Sequence, residues 1–214
     1  MREIDVETWS RREHFETFRS FHNPHFTMCA DVDVTALMSA SRQGGVSVTA
    51  AIVYVVARSA NDIPEFRQRI RDDTVVEHAR VHPSTTILVD DDIFSFCSLD
   101  YTDDFGAFAA HVEERILHVK EHPTLAELPG RDDLLYMTAI PWVSFTSFSH
   151  PIMELPPDSI PRFAWGKFHE IGNRLQMPLS VQGHHALIDG LHMARFYDRV
   201  SAYLQNPETT LGDP

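Results

Sequence analysis

The stretch Gln182-Gly183-His184-His185-Ala186-Leu187-Ile188-Asp189-Gly190 holds the densest set of reactive side chains in the sequence. An apolar strand delivers two adjacent histidines, and an Asp-Gly pair follows just before a helical pattern. Imidazole, with a reference pKa of about 6.5, is the side chain best suited to take and return a proton near neutral pH. Neighbouring residues of a strand point to opposite faces, so the pair cannot chelate one metal side by side, and only one of the two can face a given cleft. The turn over 186–188 lets Asp189 fold back beneath the histidine and fix the local backbone. Simpler roles account for the same residues. Asp189 stands where a helix N-cap belongs, and a histidine at a strand end is as readily a satisfied structural residue.

The elements that must hold this motif are read from hydrophobic periodicity. Residues 177–184 form the strand that ends in the histidine pair, and a helix runs over about 191–204. Residues 8–20, polar and aromatic with Trp9, Phe15 and Phe18, suit a short helix. Val32, Val34 and Leu37 alternate as a strand running into a helix, which Gly44-Gly45 breaks. Ser47 or Thr49 caps a helix whose apolar face carries Ile52, Val53, Val56 and Ala57. Residues 85–89 are a strand, closed by Asp90-Asp91-Asp92 and returning as a hairpin over 93–99. Residues 105–119 read as an amphipathic helix with Phe108, Val112, Ile116 and Val119 at helical spacing. Further strands are expected over 134–140, 142–148 and 162–168, and a polar, frayed tail over 205–214. This irregular interleaving predicts an α+β fold, a two-layer sandwich of a mixed β-sheet with helices packed on one face.

A chain of 214 residues fits one domain, 1–214, and can bury a core of ordinary size. Its net charge of −13 argues against a nucleic-acid partner, which would need clustered Lys and Arg. Cys29 and Cys97 are too few for a disulfide scaffold, so buried thiols in a reducing cytoplasm are expected. No apolar run reaches signal-peptide or membrane-span length, and the expectation is a cytoplasmic protein.

Outside the motif, Trp9-Ser10-Arg11-Arg12-Glu13-His14-Phe15, Pro64-Glu65-Phe66-Arg67, Pro141-Trp142-Val143-Ser144-Phe145-Thr146-Ser147-Phe148 and Met177-Pro178-Leu179-Ser180-Val181-Gln182 stand in the order, and near the spacing, of one family. With HHxxxDG at 184–190 added, the chain resembles the chloramphenicol acetyltransferases over roughly residues 8–204. The shorter HxxxDG is shared with the acyltransferase core of 2-oxo-acid dehydrogenase complexes, a rival that normally brings lipoyl and peripheral-binding domains.

The resemblance implies direct transfer of acetyl from the co-substrate acetyl-CoA to a hydroxyl of chloramphenicol or a similar aromatic alcohol. No covalent acyl-enzyme, metal or tightly bound cofactor is implied. His185 is the implied general base. Asp189 is implied to pair with Arg11, the neighbouring Arg12 being the alternative. Thr138 stands where the family carries a serine whose hydroxyl donates to the tetrahedral oxyanion. Phe18, Phe26, Thr86, Phe94, Phe148 and Ile152 fall at acceptor-pocket positions, and Lys167 and Trp165 at coenzyme-binding ones. The implied assembly is a homotrimer, with His185 from one subunit and much of the acceptor pocket from the next. Read without the resemblance, the same Phe residues are plain core and Thr138 is an ordinary strand residue.

The chain also departs from the family pattern. Ser47-Val48-Thr49-Ala50 replaces a Lys-Phe-Tyr-Pro stretch, Ala164 replaces a threonine, and His22 and His150 replace apolar pocket residues. Coenzyme A is anionic, so on a chain of net charge −13 it must rest on a few local cations or backbone amides. These changes keep open a different alcohol acceptor, or a weak or catalytically silent ligand-binding protein of the same fold.

Overall fold

The computed structural model describes residues 1–126, 130–152 and 158–212, leaving aside the side chain of Asp91. Its strands are β1 Arg2–Ile4, β2 His25–Asp33, β3 Gln68–Arg71, β4 Thr74–Glu77, β5 His82–Leu88, β6 Phe94–Ser98, β7 Leu134–Ile140, β8 Arg162–Gly166, β9 His169–Ile171 and β10 Arg174–His184. Its helices are α1 Arg12–Phe18, α2 Thr35–Gly44, α3 Val48–Asn61, α4 Phe105–Glu121, α5 Gly190–Gln205 and α6 Pro207–Leu211.

The larger sheet runs β2-β10-β8-β7-β5-β6, with β9 beside the start of β10. It is mixed: β5–β7 and β7–β8 are parallel, and the other pairs antiparallel. Strand alternation divides its residues between two faces. Leu135, Met137, Phe163, Trp165, Leu179 and Val181 are buried in the main core. α3 supplies that core with an almost wholly buried run from Ala50 to Ala57, and α4 with Phe108 and Val112. Thr138, Arg162, Ser180, Gln182 and His184 point to the opposite face. Segment 141–152 crosses that second face. The Phe148 carbonyl accepts the Ser180 hydroxyl at 2.8 Å, and the His150 N–H donates to the Gln182 side chain at 2.8 Å.

Local signals explain most boundaries. Gly45, at φ +68°, ends α2 in a left-handed cap, and the Ser47 hydroxyl caps α3 by accepting the Ala50 N–H. Asp104 caps α4 in the same way through the Ala107 N–H at 2.7 Å. β1, β4 and β3 form a second, three-stranded sheet that periodicity did not predict. Arg69, 1% exposed, ties it to β7 by donating to the carbonyls of Phe66, Gln68, Asp132 and Leu134.

Two expectations are corrected. Residues 142–148 are not a strand: both edges of β8 are already taken by β10 and β7, and Trp142 and Val143 are exposed. Gly166 lets this segment lie close, since a Cβ there would stand 2.7 Å from the Val143 carbonyl oxygen. The tail is not frayed through 205–212, because α6 buries Thr210 and Leu211; residues 213–214 lie outside the described residues. Among the described residues, no helix is long and apolar enough to cross a membrane.

Candidate active site

β10 carries the histidine motif to the end of the sheet. His184 is still in the ladder, opposite His25. His185 has left it and donates its backbone N–H to the Pro24 carbonyl at 2.8 Å. The chain then turns, with the Leu187 and Ile188 N–H groups donating to the His184 carbonyl at 3.0 and 2.9 Å. This turn folds back over Gly183, where a Cβ would meet Ile188 Cδ1 at 3.0 Å and Met193 Cε at 3.2 Å. A side chain at 183 would therefore push on the turn that carries His185. α5 starts from Asp189, whose Oδ1 accepts the Leu191 N–H at 3.0 Å.

The two histidines have different surroundings. His184 is 2% exposed and its Nδ1 accepts the Ala186 N–H at 3.2 Å. Burial, with the neighbouring His25, pushes its pKa down to about 3, so it is a neutral structural group. The His185 ring packs against two aromatics. Phe18 stacks on it at 3.9 Å with planes 9° apart, and Phe26 lies at 4.8 Å. His185 Nδ1 is buried with no hydrogen-bond partner among the described residues.

Behind the turn, Arg11 Nη1 donates to Asp189 Oδ2 at 2.7 Å. Arg12 is turned away, bonded to Glu16 at 2.8 Å and to Glu7. Burial raises the Asp189 pKa, but the Arg11 hydrogen bond, His192 and the Arg11 charge together hold it below the ordinary carboxylate value. His192 and Glu65 complete the network and escaped the sequence reading. The Asp189 N–H donates to His192 Nδ1 at 3.0 Å, so a neutral His192 keeps its proton on Nε2, 3.4 Å from Glu65 Oε1. The available signal was a histidine at the third helical position after Asp189, where a capping box ordinarily carries Glu or Gln.

Thr138 lies elsewhere. It pairs with Ala164, which pairs with Ser180, so Thr138 shares a row with Ser180 two strands away. His185 is five residues beyond Ser180 on that strand. At about 3.3 Å per residue and 4.8 Å per strand, the Thr138 and His185 backbones are about 19 Å apart. One chain does not bring them together. Thr138 and Thr86 instead line a cavity of about 490 Å³ with Phe96, Tyr136, His150 and Arg162.

The remaining predicted residues divide between these regions. Phe26 and Ile152 line a second cavity, of about 390 Å³. Phe148 packs on Phe145 at 5.5 Å and edge-on to His150 at 4.9 Å, while Phe94 is half exposed beside Phe96. Lys167 is exposed, its N–H held by the Val143 carbonyl at 2.9 Å. Trp165, 5% exposed, has its ring committed to the core and supports β8 from the helix side rather than offering a contact surface. Among the described residues, no group of three His, Cys, Asp or Glu side chains is placed to hold a metal.

Comparison with known proteins identifies the family. The family model described as chloramphenicol acetyltransferase matches residues 1–201. A chloramphenicol acetyltransferase of Escherichia coli is 31% identical over 203 residues, 94% of this chain and 92% of that one. The solved structure of a chloramphenicol acetyltransferase superposes with a TM-score of 0.84 at 28% identity, covering 95% of this chain and all of that one. The dihydrolipoamide acetyltransferase of Azotobacter vinelandii, at 18% identity and a TM-score of 0.69, shares the fold. The chain belongs to the chloramphenicol acetyltransferase family.

Proposed function

We propose that the protein transfers acetyl from acetyl-CoA to a hydroxyl of chloramphenicol or a similar aromatic alcohol, and so inactivates the antibiotic. The observation that carries this reading is the setting of His185: an imidazole packed against Phe18 and Phe26 on a turn braced by the Arg11–Asp189 pair. In the reaction, His185 Nε2 takes the proton of the acceptor hydroxyl as its oxygen attacks the thioester carbonyl. The tetrahedral oxyanion accepts a hydrogen bond from the Thr138 hydroxyl. Collapse breaks the C–S bond, and the departing thiolate takes the proton back from His185. The ion pair at Asp189 holds geometry rather than adding net stability, because desolvation offsets its attraction.

His185 and Thr138 are about 19 Å apart along the register of one sheet, too far to act on one acetyl group. A homotrimer meets this requirement, each site taking His185 from one subunit and Thr138, with its cavity, from the next. Such head-to-tail contacts close into a ring when the rotation permits. Exposed Lys167 supplies a local cation for the coenzyme phosphates, which the chain's net charge of −13 makes necessary. The reading places the enzyme in the cytoplasm, where acetyl-CoA is made.

The test follows thiol release from acetyl-CoA with chloramphenicol. Release that depends on both substrates supports the proposal. Binding of chloramphenicol with no release would identify a ligand-binding protein instead.

A further inference from the structure

His150 is a wall common to both cavities of the open face. It lines the space that holds Thr138 and Thr86, and also the space that holds His22, His25 and Gln182. By the same register arithmetic the Thr138 and His25 backbones stand about 19 Å apart, so an acceptor with its hydroxyl at Thr138 meets His150 first and only its remote end approaches His22 and His25. What it meets there is polar and incompletely bonded. Both ring nitrogens of His25 and the Nε2 of His150 are buried atoms with no partner at hydrogen-bond geometry among the described residues, although the Asp158 backbone acts on His25 and the Gln182 side chain on His150. Buried polar atoms are ordinarily paired, so three on two histidines lining one cavity mark a place where a further partner fits.

The surroundings define that partner. Burial, with the charge of Arg162, pushes the His150 pKa down to about 4 and also lowers that of His25, so both rings are neutral near pH 7. A neutral imidazole offers one donor and one acceptor. Arg162 itself is occupied, bonded to the Asp158 carboxylate at 3.0 Å and to the Ile160 carbonyl at 2.8 Å. It presents no spare fixed charge for an acid. Exposed His22 and the Gln182 side chain add further polar groups to the same lining.

We propose that His22, His25 and His150 form a specificity subsite that holds a neutral hydrogen-bonding group of the acceptor, such as a hydroxyl or an uncharged amide. The inference rests on the acetyl-transfer reading and narrows its acceptor class. Alcohols carrying a polar, uncharged substituent remote from the acetylated hydroxyl are then better acceptors than equally sized apolar or carboxylate-bearing ones.

The experiment compares kcat/KM for matched chloramphenicol analogues. One set varies the amide acyl group (hydroxyacetyl, propionyl, succinyl) and a second varies the para substituent of the ring in the same sense. In at least one set the hydroxyl-bearing member should exceed the apolar member by about tenfold, the size expected of one net hydrogen bond. H150L should shift that ratio toward the apolar acceptor, H150Q should preserve it, and exposed H22L serves where H150L does not fold. A general structural loss would lower all acceptors alike. Preference for the apolar members in both sets, or ratios unmoved by H150L and H22L, would overturn the subsite while leaving acetyl transfer intact. Absence of thiol release with every acceptor would remove the acetyl-transfer reading and the subsite together.

Discussion

The histidine end and the hydroxyl end of this molecule are put together in different ways. At the histidine end, a continuous run from Gly183 to His192 supplies the strand end, the turn, the cap and the His185 ring proposed as the base. Three distant residues finish it: Phe18 stacked on the ring, Phe26 beside it and Arg11 on Asp189. At the hydroxyl end, Thr138 is one residue of an open cavity whose walls come from six separate stretches of chain. A general base needs a fixed ring orientation, and a local motif gives that cheaply. An acceptor pocket needs shape, and shape is assembled from the whole sheet. The first is legible as a string of residues, the second only after the register is known.

The largest effect should come from breaking the histidine end. His185→Ala should lower turnover by about 10² to 10⁴ or more, while His184→Ala leaves measurable activity, because only His185 lies outside the ladder and against the two aromatics. Steady-state kinetics decide it, and equal, large losses from both would contradict the division of roles. Next is the hydroxyl end. Thr138→Ala should cost about 10² to 10³ in turnover with little change in the Michaelis constants, and Thr138→Ser should be harmless. Retention of most turnover in Thr138→Ala would move the oxyanion donor elsewhere.

Smaller effects sharpen the comparison. Arg11→Ala and Asp189→Asn should each reduce activity, with a coupling of about 0.5–3 kcal/mol in a double-mutant cycle. Arg12→Ala, which removes only exposed pairs, should leave activity and stability close to those of the native chain. Additive effects at Arg11 and Asp189 would mean the pair does not act as a unit. Stability against pH probes the neutral histidines. The pKa values of His184 and His150 are pushed down to about 3 and about 4, so below about pH 6.5 the unfolded chain binds protons that the folded chain refuses. Stability should fall between pH 6.5 and 5, by at most about 1.4 kcal/mol per pH unit for each such histidine. His25, His78, His82 and His192, also lowered, act with the same sign. Urea midpoints across that range should show a shallower slope for His184→Asn than for the native chain; an unchanged slope would contradict the assignment.

What the sequence revealed follows the same division. Leu134–Ile140 was legible to the residue, and the helix over 105–119 nearly so, because each buries one regular face. Ser47 was readable as a cap because its hydroxyl has a local backbone partner. β1, β3 and β4 were missed because strands of three or four residues with mixed charge, such as Gln68–Arg71, carry no period. Residues 142–148 misled for the opposite reason. They alternate like a strand, yet the neighbouring strand β8 is paired on both sides, a fact of topology that no local pattern contains. His192 and Glu65 were hidden because an imidazole stands where a capping box ordinarily carries a carboxylate or amide, and its partner Glu65 is far away in the sequence. The separation of His185 from Thr138 depends on the pairing of β10, β8 and β7, and is invisible in the motifs themselves.

The central claim is that a working site joins the histidine end of one subunit to the hydroxyl end of another, and mixed assembly tests it most directly. His185→Ala and Thr138→Ala chains, each inactive alone, are co-expressed at equal levels, and thiol release is measured with acetyl-CoA and chloramphenicol. If the two ends meet across a head-to-tail interface, random mixing leaves about one site in four with both groups intact, and about a quarter of native activity should return. Activity no greater than the sum of the two variants alone would contradict the account.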